Sequence, residues 1–380
     1  MEVAVAATDA KTCSSVLAAA LLLPGLAAPT MAQQVPEKTE LSFKLLDYQD
    51  RQPGLERTHV RAPSLGLVMP LGEQWGLEAG LVRDSVSGAS PRWHTAVSGA
   101  SRQTDRRDAG DLRLTHYGHR QSWSLGTALS DENDYRSRSL SVEHRWSTED
   151  NNRSFQLGLG WTRDEIGATG QPSLQENRRT LETMASVTQA WTATDLVQFS
   201  LTHRRGEGYF SDPYKFPDVR PRSRHQNTAL VRWNHAFDAW DAALKVSYRW
   251  YGDSFGVRAH TVEGQWVQSL GQRWTVTPGV RLYSQRAAAF YVDPRSGSEA
   301  PPSLPGAGSD GLISADQRLA GFGAVALSLK GEWMVSPGLS LDVRVEQYEQ
   351  RGAWRVGGQG SPGLAPFSAR HWMLGGTYKF

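Results

Sequence analysis

The chain has 380 residues, 39% hydrophobic and 21% charged, with a formal net charge of +2. A balance this near neutrality gives no electrostatic case for nucleic acid as partner. A mean hydropathy of -0.48 is too polar for helical membrane spans, but it is compatible with a membrane barrel, in which only alternate residues face lipid.

The first predicted element is a secretory signal peptide over 1–32. Lys11 precedes the small and apolar run Val16 to Ala28, and Thr30-Met31-Ala32 places small residues at the outer positions of a cleavage site before Gln33. The apolar run is too short to span a bilayer. The one cysteine, Cys13, falls inside this segment, so the mature chain is expected to have no disulfide, thiolate metal site or cysteine nucleophile. Residues 33–380 read as one domain, with no internal repeat or linker.

From about Thr39 onward, segments alternate apolar with polar residues, the period of strands with two different faces. Phe155, Leu157, Leu159 and Trp161 alternate with Gln156, Gly158, Gly160 and Thr162. Leu244, Val246, Tyr248 and Trp250 alternate with Lys245, Ser247, Arg249 and Tyr251. Leu341, Val343 and Val345 alternate with Asp342, Arg344 and Glu346. Short polar turns are predicted near Gly72-Glu73, His119-Arg120, Asp150-Asn151, Thr194-Asp195, Ala239-Trp240, Gly271-Gln272 and Pro337-Gly338. Longer connections are predicted near 85–106, 164–176, 206–222, 287–315 and 351–369, with two shorter ones near 49–57 and 131–134. Short and long connections largely take turns, the asymmetry of an outer-membrane barrel with short periplasmic turns and longer extracellular loops. The expected fold is all-β: a single antiparallel transmembrane β-barrel of about sixteen strands, within roughly 14 to 18. An even count places both termini in the periplasm.

The chain closes on an alternating aromatic and apolar series, Trp372, Leu374, Gly376, Tyr378 and the terminal Phe380. Such a closing strand is similar to the signal read by the barrel-assembly machinery, which with outer-membrane lipid is an expected partner.

Several phrases carry a family resemblance. They are Asp84 to Pro91 (DSVSGASP), Ser211 to Lys215 (SDPYK), Tyr248 to Asp253 (YRWYGD), Arg281 to Tyr291 (RLYSQRAAAFY) and Ser314 to Leu319 (SADQRL), followed by the stretch ending at Phe380. Over about 41–380 the chain resembles an uncharacterised family of proteobacterial outer-membrane barrels, domain-of-unknown-function family 3570. The resemblance implies a barrel and an outer-membrane address, and no reaction. Members tend to be encoded beside flavin-transfer and thioredoxin-like proteins, which implies a periplasmic flavin- or thiol-redox partner.

Two groups of residues are candidates for chemistry. A rim site is predicted from Asp84, Ser87, Asp212, Tyr214, Lys215, Asp253 and Tyr291, because loops on a rigid scaffold commonly carry binding residues. The alternative is that these residues only form turns, with Lys215 and Asp253 as solvated charges. A lumen set is predicted from Lys245, Arg249, Arg281, Asp342, Arg344 and Glu346, joined by Glu78, Asp84 and Glu143. These charges either select solutes or brace the barrel as an ion-pair network. His116 and His119, three apart, are expected on opposite strand faces and so unable to share an ion. Asp131 to Asp134 reads as a tight acidic hairpin and not a calcium loop. No metal, cofactor or enzymatic activity is expected, since nothing pairs a nucleophile with a base. The leading function is a narrow pore or binding barrel for a small polar solute or ion. The rivals are a closed scaffold barrel for a redox partner and, behind it, a barrel-wall enzyme.

Overall fold

Alternation of polarity dictates the architecture, because a strand projects successive side chains to opposite faces. The computed structural model describes residues 34–89, 102–169, 171–215, 218–293 and 310–380, with backbone alone at 86–89 and 102–105. The expected signal peptide lies outside the described residues. The strands are β1 (Glu40–Gln52), β2 (Leu55–Leu71), β3 (Trp75–Ala89), β4 (Arg102–Gly118), β5 (Gln121–Asp131), β6 (Tyr135–Ser147), β7 (Arg153–Ile166), β8 (Glu176–Ala190) and β9 (Asp195–Gly208). They continue as β10 (Asp218–Val219), β11 (Ser223–Phe237), β12 (Ala242–Asp253), β13 (Arg258–Leu270), β14 (Trp274–Arg286), β15 (Ile313–Ser314), β16 (Phe322–Ser336), β17 (Leu339–Arg351) and β18 (Phe367–Lys379). All but β10 and β15 close into one antiparallel barrel of sixteen strands, each paired with its neighbour in the chain. The seam joins β1 to β18, from Glu40 opposite Lys379 to Arg51 opposite Ser368.

The two faces are inverted relative to a soluble sheet. Along β5, exposed Trp123, Leu125 and Leu129 alternate with buried Ser122, Ser124, Ala128 and Ser130. Apolar residues therefore cover the outside: Phe43, Leu81, Leu157 and Val345 are all exposed there. Bare apolar surface carried around the whole circumference is costly in water and favourable in hydrocarbon. A groove of about 450 Å³ on this outer wall, lined by Leu41, Phe43, Leu65, Leu81 and Tyr378, belongs to the same apolar surface.

The seven short turns all fall where the alternation breaks, at one end of the barrel. Gly72 and Gly271 adopt positive φ there (72° and 65°), a conformation glycine reaches without strain. Arg120, Asn151 and Asp241 adopt it too, at the small cost Asn and Asp bear best. Both ends of the barrel chain, Thr39 and Phe380, meet at this turn end through reciprocal backbone hydrogen bonds of 3.0 Å. Around it runs an outward aromatic girdle. Trp123 stacks on His144 at 4.0 Å, Trp274 on Trp333 at 5.5 Å, and Trp75 meets His116 edge-on at 4.7 Å. Amphipathic rings favour the level where hydrocarbon gives way to headgroups.

Three local expectations need correction. The connection expected near 49–57 is only residues 53–54, because β1 runs to Gln52 and pairs with β2 from Leu55. The connection expected at 85–106 is shorter, because β3 runs to Ala89 and β4 begins at Arg102. Above the apolar band the outward residues Arg83 and Ser85 are as polar as the inward Asp84, so the alternation fades although the strand continues. His119 is not on a strand but in the turn before β5, so the opposite-face rule does not apply to it.

Candidate functional site: a charged lumen under a laced cap

The cross-strand register places the predicted lumen charges on one face. Arg344 and Glu346 alternate with the outward Val343 and Val345 on β17, and Arg281 alternates with Val280 and Leu282 on β14. Lys245 sits between inward Asn234 and Gln265, and Arg249 donates to Thr261 at 3.4 Å. Asp342 lies opposite Glu332, which in turn accepts from Lys330 at 2.7 Å. Glu346 is the hub: it accepts from Arg281 at 2.7 Å on one oxygen and from Arg344 at 2.8 Å on the other. On the opposite wall Glu143 lies 3.7 Å from Arg113 and 3.5 Å from Arg145. Glu182 is paired with Arg204. Charges of both signs thus sit within contact of each other, as a brace requires. The wall of β5 and β6 between them is small and hydroxyl-rich, with Ser124 bonded to Thr115 at 2.9 Å and Ser137 to Asp164 at 2.8 Å.

Toward the loop end the inward face turns apolar. Tyr48, Val60, Ala324, Ala326, Tyr348, Phe367 and Ala369 form one buried cluster on β1, β2, β16, β17 and β18. Above them the loops are tied to each other. Strands β10 and β15 join the 209–222 loop to the loop that follows β14. Arg318 reaches Asp212 at 2.6 Å and also pairs with Asp316, which caps the short turn Gln317–Leu319. Arg220 contacts Asp316 at 2.5 Å and Asp218 at 2.9 Å. The Lys215 ammonium donates to Gln317 at 3.3 Å. The 352–366 loop joins through Ser361, which exchanges 2.8 Å bonds with Gly321, and through Gly363, whose amide donates to Asp293 at 2.8 Å. Gln285, on the barrel wall, donates to the Arg318 and Ala320 carbonyls at 2.8 Å each, which pins the cap to the lumen rim.

The predicted rim residues are distributed as follows. Asp212, Lys215, Tyr214 and Tyr291 are in the cap. Tyr214 bonds Asp134 and accepts from the Thr169 amide at 2.6 Å, drawing in two more loops. Tyr291 donates to Asp293 at 3.1 Å, and burial pushes its phenol well above the ordinary value. Asp253 is the last residue of β12, where it accepts from Arg224 and closes the tight turn by accepting from the Val257 amide at 2.9 Å. Asp84 lies lower on β3, in contact with Arg107 at 2.5 Å and apart from the others. Ser87 is on β3 as well, with its side chain outside the described residues. The view of Lys215 and Asp253 as solvated charges is wrong: Lys215 is 5% exposed and the Asp253 side chain is fully covered. A buried charge is tolerable only with partners, and each has them.

The centre of the cap, Asp316 with Arg318, Arg220 and Asp218, was not singled out by residue-type reasoning. The phrase Ser314 to Leu319 was the available signal. Burial disfavours the charge on Asp316, yet Arg318, Arg220 and Lys215 hold its carboxyl well below the usual range. Asp218 goes the other way: burial raises it, against the pull of Arg220. Among the described residues no group of His, Cys, Asp and Glu has the arrangement of a metal site.

A closed sixteen-stranded barrel, apolar outside and polar within, defines an outer-membrane β-barrel. Two solved structures share the fold. A bacterial polysaccharide outer membrane secretin aligns with TM-score 0.50 and 8% identity, over 90% of this chain and 98% of that one. CdiB from Acinetobacter baumannii aligns with TM-score 0.50 and 9% identity, over 89% and 60%. The siderophore receptor PirA from Pseudomonas aeruginosa aligns with TM-score 0.42 and 11% identity over 83% of this chain, which spans 56% of the receptor's length. No curated relative matches the sequence. The chain belongs to the family described as Protein of unknown function (DUF3570), whose model matches residues 13–106, 100–176 and 171–371.

Proposed function

We propose that this barrel passes or captures a small polar solute or ion, and that the cap is its gate. The observation that carries this reading is the ionic nature of the closure above a polar lumen. Apolar packing would seal a permanent scaffold at least as well, because buried ion pairs recover little net stability over apolar residues of the same volume. Ion pairs have one property that apolar contacts lack: when they part, water re-solvates both partners. The Asp212, Asp316, Arg220 and Arg318 cluster is therefore suited to opening. In this reading the loop end faces the outside, the termini face the periplasm, and the rim residues hold the mouth shut. The lumen charges then meet the solute in pairs, which disfavours a strong preference for either ion sign. No catalytic group is part of it.

A second reading draws on the Arg281–Glu346–Arg344 hub: a braced, closed barrel that serves as scaffold for a periplasmic flavin- or thiol-redox partner. Proteoliposome flux separates the two. With the purified full chain, a size series of neutral sugars and small organic ions is followed by liposome swelling. Size-limited entry supports the pore. No entry from a heat-modifiable, folded barrel, together with a soluble redox protein retained in a pull-down, supports the scaffold.

A further inference from the structure

The outward face changes character just loopward of the apolar band. On β7 it runs Phe155, Leu157, Leu159, Trp161, then Arg163 and Glu165; on β6, read from the loop end, it runs Arg136, Arg138, then Leu140 and Val142. The register lines these arginines up. Arg138 lies directly opposite Arg163, and Arg163 directly opposite Arg179 on β8, so three like charges form a row across three strands. A second pair, Arg258 and Arg286, is directly opposed across β13 and β14. All five are exposed. Arg138 is 3.6 Å from Glu165, but Arg163, Arg179, Arg258 and Arg286 have no ion-pair partner among the described residues.

Directly opposed residues in an antiparallel sheet have Cβ atoms about 5 Å apart, and like charges there destabilise the pairing. Elsewhere on the same belt the protein avoids this: Arg136 faces Asp131 at 2.8 Å and Arg83 faces Asp108 at 2.6 Å. The row Arg138–Arg163–Arg179 is flanked by two carboxylates, Glu165 beside Arg138 and Glu207 directly opposite Arg179 on β9, so its arginines outnumber the carboxylates beside them; Arg258 and Arg286 face each other with no ion pair between either and a carboxylate among the described residues. Their height, one to two outward positions above the last apolar residue, is the headgroup level of the leaflet at the loop end. Guanidinium groups form bidentate, charge-assisted bonds to phosphate oxygens.

We propose that the rows Arg138–Arg163–Arg179 and Arg258–Arg286 bind the phosphate groups of anionic lipid in the leaflet at the loop end, each phosphate bridging neighbouring arginines. This surface is separate from the lumen and the cap, so it stands whether or not the barrel conducts.

The test uses the full folded chain in neutral detergent, with diphosphoryl lipid A as probe, phosphatidylcholine as neutral comparator and inorganic phosphate as soluble anion. Native mass spectrometry of the wild type is expected to retain diphosphoryl lipid A in preference to phosphatidylcholine. Retention falls about tenfold in the Arg163→Gln, Arg179→Gln, Arg258→Gln, Arg286→Gln variant. In detergent alone that variant melts close to the wild type, because the repulsion between opposed arginines and the attraction of Arg179 to Glu207 are lost together; added diphosphoryl lipid A raises the melting temperature of the wild type only. Equal retention of both lipids by the wild type, or undiminished retention of lipid A by the variant, overturns the proposal. A melting shift reproduced in full by inorganic phosphate overturns its assignment to lipid.

Discussion

At the turn end the outward face finishes in rings: Trp123 over His144, Trp274 over Trp333, Tyr378 beside Phe380 at 5.6 Å. At the loop end the same face finishes in arginines, and the interior finishes in a cap held by Asp212, Asp316, Arg220 and Arg318. The turn end is built mainly from hairpins closed over a few residues, with the Thr39–Phe380 seam and the Trp274–Trp333 stack as its distant contacts. The loop end is built from distant ones: Arg318 and Asp212 are 106 positions apart, and Arg220 and Asp316 are 96 apart. The difference teaches that the turn end needs only an interface to sit in, whereas the loop end needs specific charges to be met. Perturbing a ring should therefore change stability modestly and everywhere alike. Perturbing a buried charge should act in one place and strongly.

The largest effect is expected at the lumen hub beneath the cap. Glu346→Ala leaves Arg281 and Arg344 facing each other in a buried site, and unfolding stability in detergent and urea should fall by about 3–5 kcal/mol. A loss under about 1 kcal/mol would show that water already screens the hub.

The cap should also respond to pH, with Asp218 acting above the ordinary carboxylate value and Asp316 below it. Burial raises the Asp218 carboxyl, so its charge penalty is absent below the ordinary carboxylate range and complete once pH has risen through the raised value. The contribution of Asp316, whose carboxyl is held low by its cations, is present above the ordinary value and is lost only as pH falls far below it. Protease access to the cap loops should thus increase as pH rises through the window just above the ordinary carboxylate range. Asp218→Asn should abolish that dependence.

Smaller effects belong to the surface. Trp123→Ala at the turn end removes the stack on His144 and should cost about 1 kcal/mol. Asp131→Asn at the loop end removes an exposed partner of Arg136, with side chains 58% and 50% exposed, and should change stability by less than about 1 kcal/mol. A reversal of that order would erase the contrast between the two ends.

Much of the barrel was legible before any coordinates. Period two over Phe155–Trp161 and Leu341–Glu346 identified strands with one lipid-facing side, and all seven short turns fall where the pattern is interrupted, most of them at polar, Gly or Pro residues. The strand ends at Ala89 and Arg102 were not legible, because outward and inward residues are equally polar above the apolar band. The inward placement of Arg281, Arg344 and Glu346 was legible from parity alone. Their joining into a hub was not, since it depends on β14 and β17 flanking β16. For Lys215 and Asp253, residue type argued for solvent; Lys215 is instead engaged by the loop after β14, distant in sequence, and Asp253 by Arg224 on the neighbouring strand and by its own turn. Asp316 was marked only by the phrase Ser314 to Leu319, and Arg220 carried no local sign of importance.

Single-channel recording of the purified chain in a planar bilayer tests the central claim most directly, comparing the wild type with Arg318→Ala. The account predicts a wild type that is mostly closed with brief openings, and a variant whose open fraction rises several-fold at unchanged unit conductance. Silence from both, in barrels shown to be folded by heat modifiability, or equal and steady current from both, would contradict an ionic gate above a conducting lumen.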